Sequence, residues 1–322
     1  MLSRVADSIY WMSRQIERAE NVARFVGVNL HMRLDLPPGV TEQWMPLVIT
    51  TGDDAAFSER YGAATRENVI QFLTFDTDNP NSILSCLRAA RENARGVREI
   101  ISSEMWEQLN KFYLMVRDTA GSARARELPE AFFADVRMAS HLFVGVSDAT
   151  MSHGEGWNFA RLGRMIERAD KTTRILDMKY FILLPSLSDV GTPFDDLQWS
   201  AVLRAASALE MYRKRYGRLT WEHVIDFLLL DHDFPRAVHH CVIHAQQSLH
   251  AITGTPFGTF RSIADRRMGQ LRSDLDFAMV EDVIGTGLHE YLDSIQVRLN
   301  GIAEGVFETF FAMRPAPVLS AA

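Results

Sequence analysis

The chain has 322 residues, 47% of them apolar, and a net charge of −7 with a pI near 5.8. That length fits one large domain or two of ordinary size with a sizeable core, while the acidic balance argues against nonspecific nucleic-acid binding, which rewards basic faces. No run approaches about 18 apolar residues, so no membrane span is expected, and Cys86 and Cys241 cannot form a disulfide framework. The opening MLSRVADSIYW enters a helical pattern directly, without the layout of a signal peptide, and a reduced, cytoplasmic setting is expected.

Helical periodicity runs through nearly the whole chain. It predicts helices at about 3–33, 42–61, 66–75, 80–101, 103–118 and 129–147. It continues at about 153–183, 196–216, 221–230, 235–252, 258–273 and 280–312. Thr65 and Thr220 stand where an N-cap hydroxyl is wanted, each with a Glu two residues on in the positive first turn. Pro80 and Pro235 follow aspartates, at places where a helix start needs no N–H. Capping of those starts explains Asp76, Asp78, Asp231 and Asp233 better than cation binding does. Continuous β-branched alternation is absent, and the expected fold class is all-α.

The chain repeats itself. RQIERAENVAR at 14–24 returns as RMIERADKTTR at 164–174, with Arg14, Ile16, Glu17, Arg18, Ala19 and Arg24 matched 150 positions later. Further on the offset is 155: Gln43-Trp44 with Gln198-Trp199, Arg60-Tyr61-Gly62 with Arg215-Tyr216-Gly217, Asp76, Asp78 and Pro80 with Asp231, Asp233 and Pro235, and Cys86 with Cys241. The extra five residues fall in LLPSLSDVGTPFDD, the counterpart of LDLPPGVTE, because loops absorb insertions that packed helices do not. The reading is a tandem duplication of a helical-bundle unit, residues 1–150 and 151–322, with pseudo-twofold-related halves packed together.

On the first repeated helix Val5, Ile9, Met12, Ile16, Ala19 and Ala23 form one apolar stripe. Asp7, Tyr10, Arg14, Glu17, Arg18 and Asn21 take the opposite arc, with Trp11 and Phe25 among them. The second helix repeats this, with Phe159, Leu162, Ile166 and Ala169 inward and Trp157, Arg164, Glu167 and Arg168 opposite. Two polar arcs related by a twofold would line one shared cleft. Two readings stay open: a buried ion network, beginning with an Arg14–Glu17 pair at i,i+3 spacing, or guanidinium forks that hold a ligand's carboxylate or phosphate.

RQIERAENVAR and RMIERADKTTR, together with SRVADSIYWMSR, NPNSI, SSEMWEQLN, ASHLFVGVSDATMSHGEGWNF, DKTTRILDMKY and GLHEYLDSIQVRLN, resemble the alpha-E family. This is a bacterial all-helical domain named for its Glu-Arg motif and typically found in tandem. The resemblance runs almost end to end. It implies a component of a peptide synthesis or modification system, whose associates are a circularly permuted ATP-grasp carboxylate–amine ligase, a transglutaminase-like protein and an NTN-hydrolase-type peptidase. It brings no catalytic mechanism, so catalytic residues stay unassigned. Glu17, Arg18, Glu167 and Arg168 carry the name-giving motif.

Arg14, Arg24, Arg164 and Arg174 complete the candidate ligand site on these helices. His153 and Glu155 in SHGEGW join them as candidates; the alternative is an ordinary cap, with Ser152 as acceptor and Glu155 as its box partner. His240 and His244, at i,i+4, would share a helix face, but no third ligand is readable, and no metal is expected. No Glu-x-x-His pattern for a di-iron bundle, Walker loop, dinucleotide-binding glycine pattern or Gly-x-Ser-x-Gly elbow is present. The leading expectation is an accessory helical component without cofactor that binds the ligase or an acidic peptide substrate. The alternative is an acyl or amide-group transferase with Glu17 or Glu167 as general base.

Overall fold

A computed structural model of the chain describes residues 1–32, 43–120, 122, 129–182 and 193–312. Every regular element among them is helical. The first half contains α1 (Ser3–Met32), α2 (Met45–Thr51), α3 (Asp54–Tyr61), α4 (Arg66–Thr74), α5 (Ile83–Arg95), α6 (Ser103–Thr119) and α7 (Pro129–Thr150). The second contains α8 (Glu155–Ile182), α9 (Pro193–Ala205), α10 (Leu209–Tyr216), α11 (Trp221–Ile225), α12 (Val238–Thr253), α13 (Ile263–Phe277), α14 (Val280–Thr286) and α15 (Leu288–Val306). α11 runs into a π-helical turn at Asp226–Leu230, and α15 into another at Phe307–Phe311. Residues 34–42 lie outside the described residues, as does most of the 183–196 loop in which the repeat changes offset. Among the described residues no helix is long and apolar enough to cross a membrane.

The two long repeated helices are the axes of the molecule. α1 packs along α8 and also against α5 and α7, while α6 joins α5 to α7. α8 packs against α12 and α15, and α13 joins those two. The short α2 reaches over to α8, and α9 reaches over to α1. With helices on every side, α1 does not keep the expected division into a buried and a polar face. Its apolar stripe is buried, but so are Tyr10, Arg14, Glu17, Asn21 and Phe25 on the opposite arc, because α8 covers them. Phe159, Leu162, Ile166 and Ala169 of α8 are buried as expected, and Glu167 is buried with them. Gly163 sets the closest approach: a Cβ there would stand 2.6 Å from the Tyr10 carbonyl oxygen and 3.2 Å from Arg14 Cγ. Only a glycine lets the two axes close to that separation.

Helix ends follow local chemistry, with corrections. Thr65 and Thr220 cap as expected, their hydroxyls accepting from the backbone N–H of Asn68 at 3.2 Å and of His223 at 3.3 Å. The helix expected at 42–61 is broken at Gly52, whose φ of 80° ends α2. The one expected at 196–216 is broken at the position 155 later, Ser207, with φ 51°. A left-handed serine is uncommon, and this one has a partner: Arg24 Nη1 donates to its hydroxyl at 2.5 Å. Pro80 and Pro235 precede their helices instead of starting them. α5 begins at Ile83 behind Ser82, whose hydroxyl accepts from Ser85 N–H at 3.2 Å, and α12 begins at Val238. The aspartates cap the preceding turns: Asp76 Oδ1 accepts from Asp78 N–H at 2.9 Å, and Asp231 Oδ1 from Asp233 N–H at 2.8 Å. Each is also clamped by the arginine of its Arg-Tyr-Gly motif, Arg60 to Asp76 at 2.5 Å and Arg215 to Asp231. The repeated motifs are therefore two ends of one interaction in each half.

Candidate functional site

Adjacent residues on a helix point about 100° apart, so Glu17 and Arg18 cannot pair with each other. The i,i+3 pair of Arg14 with Glu17 does not form either. Both motifs are satisfied across the α1–α8 seam. Arg168 holds Glu17 with two bonds, Nε to Oε1 at 2.9 Å and Nη2 to Oε2 at 2.8 Å. Arg18 holds Glu167 in the same way, Nε to Oε1 at 2.7 Å and Nη2 to Oε2 at 3.2 Å. Each glutamate is buried, and each arginine comes from the opposite helix. These are fork-on-carboxylate pairs, the geometry in which guanidinium bonds are strongest.

A family model described as "a predicted alpha-helical domain with a conserved ER motif" matches residues 1–311. The chain belongs to the Alpha-E family. Uncharacterised proteins of Mycobacterium bovis and Mycobacterium tuberculosis are each 24% identical to it over 338 residues, covering 96% of this chain and 37% of theirs. The chain thus spans little more than a third of the length of these curated relatives. No solved structure matches it.

Around the two motif pairs this Alpha-E chain gathers further charges. Arg14 adds Nε and Nη2 to Glu167 Oε2, both at 2.8 Å, and Lys171 Nζ stands 3.6 Å from Oε1. Arg236 Nη1 and Asn21 Nδ2 add to Glu17 Oε1 at 3.2 and 3.0 Å. One turn further along, Arg24 donates Nε and Nη2 to Glu20 Oε1 at 2.9 and 2.6 Å, with Arg236 on the same oxygen and Ser140 on the other at 2.7 Å. Arg174 pairs with Asp170 at 3.1 Å and donates Nη1 to the Thr50 carbonyl at 3.1 Å. Arg24 and Arg174 therefore each bind the acid four residues back and reach into the other half.

Burial alone would push these carboxyls up, and the cations more than offset it. Arg18, Arg14 and Lys171 hold Glu167 well below the usual carboxylate range, and Arg168 and Arg236 hold Glu17 below it. Glu20 is likewise held well below, by Arg236, His141 and Arg24. A carboxylate fixed in this way is a poor proton acceptor, which counts against Glu17 or Glu167 as a general base. The thiols of Cys86 and Cys241 lie beside Arg18 and Arg168, yet burial pushes both up to about 12. They are structural thiols rather than nucleophiles.

Of the ten residues singled out in the sequence, Arg14, Glu17, Arg18, Arg24, Arg164, Glu167, Arg168 and Arg174 lie together along the seam. It is a packed seam rather than the open cleft expected, with an opening beside Arg164. His153 and Glu155 stand apart, at the start of α8. His153 stacks on Trp157 with ring centroids 4.2 Å apart, and Glu155 accepts from the Met1 amino group at 2.7 Å instead of closing a capping box with Ser152. Residues that sequence reasoning missed are Arg236, Glu20's partner Ser140, and His141. Arg236 had a signal: it lies 155 after Asn81, just past the repeated proline. Ser140 and His141 had none, since α7 carries no repeated motif at them. The His240 and His244 rings meet edge to face with centroids 4.1 Å apart, and among the described residues no three His, Cys, Asp or Glu side chains converge as metal ligands.

Proposed function

We propose that the chain is a non-catalytic helical binding component built by tandem duplication, residues 1–150 and 151–322. Its pseudo-twofold-related halves are locked together by the reciprocal Glu-Arg pairs. The matched helix-packing order of the two halves and the paired breaks at Gly52 and Ser207 support the duplication. One observation carries the functional reading. Among the described residues the seam sets four carboxylates, Glu17, Glu20, Glu167 and Asp170, against eight cations. In a chain whose net charge is −7, so concentrated a positive surplus suits a carboxylate-bearing partner. The saturated, depressed glutamates argue for binding over catalysis.

The family resemblance supplies the setting: a cytoplasmic peptide synthesis or modification system, alongside a circularly permuted ATP-grasp ligase and a transglutaminase-like protein. ATP activation then belongs to the ligase, as this chain carries no nucleotide-binding motif. The test is to incubate the purified chain with a glutamate-rich peptide, alone and with such a ligase and ATP, and to follow peptide binding and peptide mass. Binding with unchanged mass is expected from the chain alone, and modification only when the ligase is present. A mass change produced by the chain alone, and abolished in a Glu167→Gln protein shown by a melt to be folded at the assay temperature, would establish the transferase reading instead.

A further inference from the structure

Arg14 and Arg164 occupy the same place in the sequence repeat, one turn before the Glu-Arg motif, yet their surroundings differ. Arg14 uses its whole guanidinium: Nε and Nη2 go to Glu167, and Nη1 donates to the Tyr10 hydroxyl at 3.1 Å. Arg164 has none of this. Among the described residues no carboxylate lies within ion-pair range of it, and its buried Nε has no hydrogen-bond partner. Two substitutions in the repeat account for the difference. The counterpart of Tyr10 is Ala160, which removes the hydroxyl. The counterpart of Asn81 is Arg236, which gives Glu17 a second arginine as Arg14 does Glu167, though on Oε1 and not on Oε2. Arg164 is thereby released from the network while still enclosed by it.

The released guanidinium faces a narrow cleft between α1, α7 and α8, lined also by Ser13, Glu17, Phe143, Ser147, Trp157 and Arg161. The cleft holds no more than about one water-sized group, so a ligand's head group sits at its mouth, against the guanidinium, rather than inside it. Arg161 lies over the Trp157 ring at 5.3 Å and adds a second positive charge at the rim. Ser147 commits its proton to the Phe143 carbonyl at 2.7 Å, which leaves its oxygen free to accept. Glu17 accepts from Arg168, Arg236 and Asn21 and forms no ion pair with Arg164; its charge and that of Asp148, which accepts from Trp157 Nε1 at 3.1 Å, offset Arg164 only in part and disfavour a doubly charged phosphate there.

We propose that this cleft is a carboxylate-binding site. Arg164 holds the two oxygens of one side-chain or C-terminal carboxylate of an acidic peptide, Trp157 flanks the attached chain, and Ser147 accepts from a peptide N–H. The assignment rests on the reading of the chain as a binder of carboxylate-bearing peptides and names where on the seam the binding occurs. Burial and the neighbouring Arg168 pull Arg164 down to about 10, a penalty on its charged form that an incoming carboxylate relieves.

The test is calorimetric titration of the full chain with a blocked tripeptide containing one glutamate, with its glutamine counterpart, and with inorganic phosphate. The wild type should bind the glutamate peptide and neither control. Arg164→Gln should weaken that binding at least about tenfold, the loss of a charge-assisted fork. It should also melt no lower than the wild type, because the cation it removes has no partner. Equal affinity in Arg164→Gln would overturn the site while leaving the broader binding reading in place. A wild type that binds no carboxylate peptide would overturn both. Phosphate bound more tightly than the peptide, or an Arg164→Gln protein that melts well below wild type, would overturn the site assignment alone.

Discussion

Glu167→Ala is expected to lower folding stability by about 3–5 kcal/mol, the usual cost of removing one partner from a buried ion cluster. Arg14 and Arg18 both donate to this carboxylate at 2.7–2.8 Å, and Lys171 stands 3.6 Å away. Without it, Arg14 and Arg18 face each other at a largely buried position with no counter-charge, while Lys171 keeps Asp170 at 2.8 Å. Against a domain stability of about 5–15 kcal/mol the loss is large enough to populate the unfolded state under mild denaturant. The check is a shift in the urea midpoint at unchanged slope. Glu167→Gln separates charge from cavity: it keeps the volume and should lose nearly as much. A glutamine variant close to wild type would mean that packing, not charge, holds the seam.

The second large effect is in acid. Glu17, Glu20, Glu167 and Asp170 are all held below their ordinary values of 4.5 for glutamate and 3.8 for aspartate by the surrounding guanidinium and ammonium groups. A carboxyl with a depressed folded pKa binds fewer protons folded than unfolded. Its contribution is therefore complete above the unfolded value and disappears as pH falls through the folded one. Asp7 and Asp177 are raised by burial and act with the opposite sign, but both are less enclosed than the seam carboxylates. From pH 7 down to about 5 the urea midpoint should drift down modestly, because burial lowers His239, His240 and His244 and the raised His289 offsets only part of that; it should then fall steeply below about 4.5 as the seam protonates. A midpoint unchanged at pH 3 would be incompatible with buried, ionised carboxylates at these four positions.

Much of the fold was readable from residue spacing, because helix periodicity and capping are local. Thr65 and Thr220 mark helix starts by a hydroxyl three residues ahead of the N–H it accepts from; Gly52, through which periodicity alone runs the 42–61 helix, offers a break by its freedom at positive φ. Ser207 does not, since the serine is held left-handed by Arg24, 183 residues away in sequence. The same limit applies to the site. The repeat identified Glu17, Arg18, Glu167 and Arg168 and suggested that they face a common region, but a helical pattern sees only neighbours three or four residues away. The partners are about 150 residues distant, so the Arg14–Glu17 pair expected from local spacing does not form, and the motif residues pair across the seam instead. Arg236 shows the opposite case: its one-residue difference from Asn81 was visible in the repeat, and its meaning emerged only once Glu17 was seen to need a second cation.

The reciprocal pairing also shows why a motif of two adjacent, oppositely charged residues recurs. Each helix supplies one acid and one base on neighbouring arcs, and α1 and α8, in close approach at Gly163, satisfy each other's motifs. Either helix alone would leave its motif glutamate without the arginine that holds it. The proposed carboxylate site lies where the two sequence repeats stop matching, at Ala160 and Arg236, with Arg164 left without a carboxylate partner among the described residues.

The central claim is that each Glu-Arg motif is satisfied by the other helix and not by itself. Double-mutant cycles at neutral pH, read from urea midpoints, test it directly. One cycle combines Glu17→Gln with Arg168→Met across the seam, and the other combines Glu17→Gln with Arg18→Met within the motif. The pairing across α1 and α8 predicts a coupling of about 1.5–3 kcal/mol for Glu17 with Arg168, and under about 0.5 kcal/mol for Glu17 with Arg18. Equal couplings, or a larger one within the motif, would contradict it.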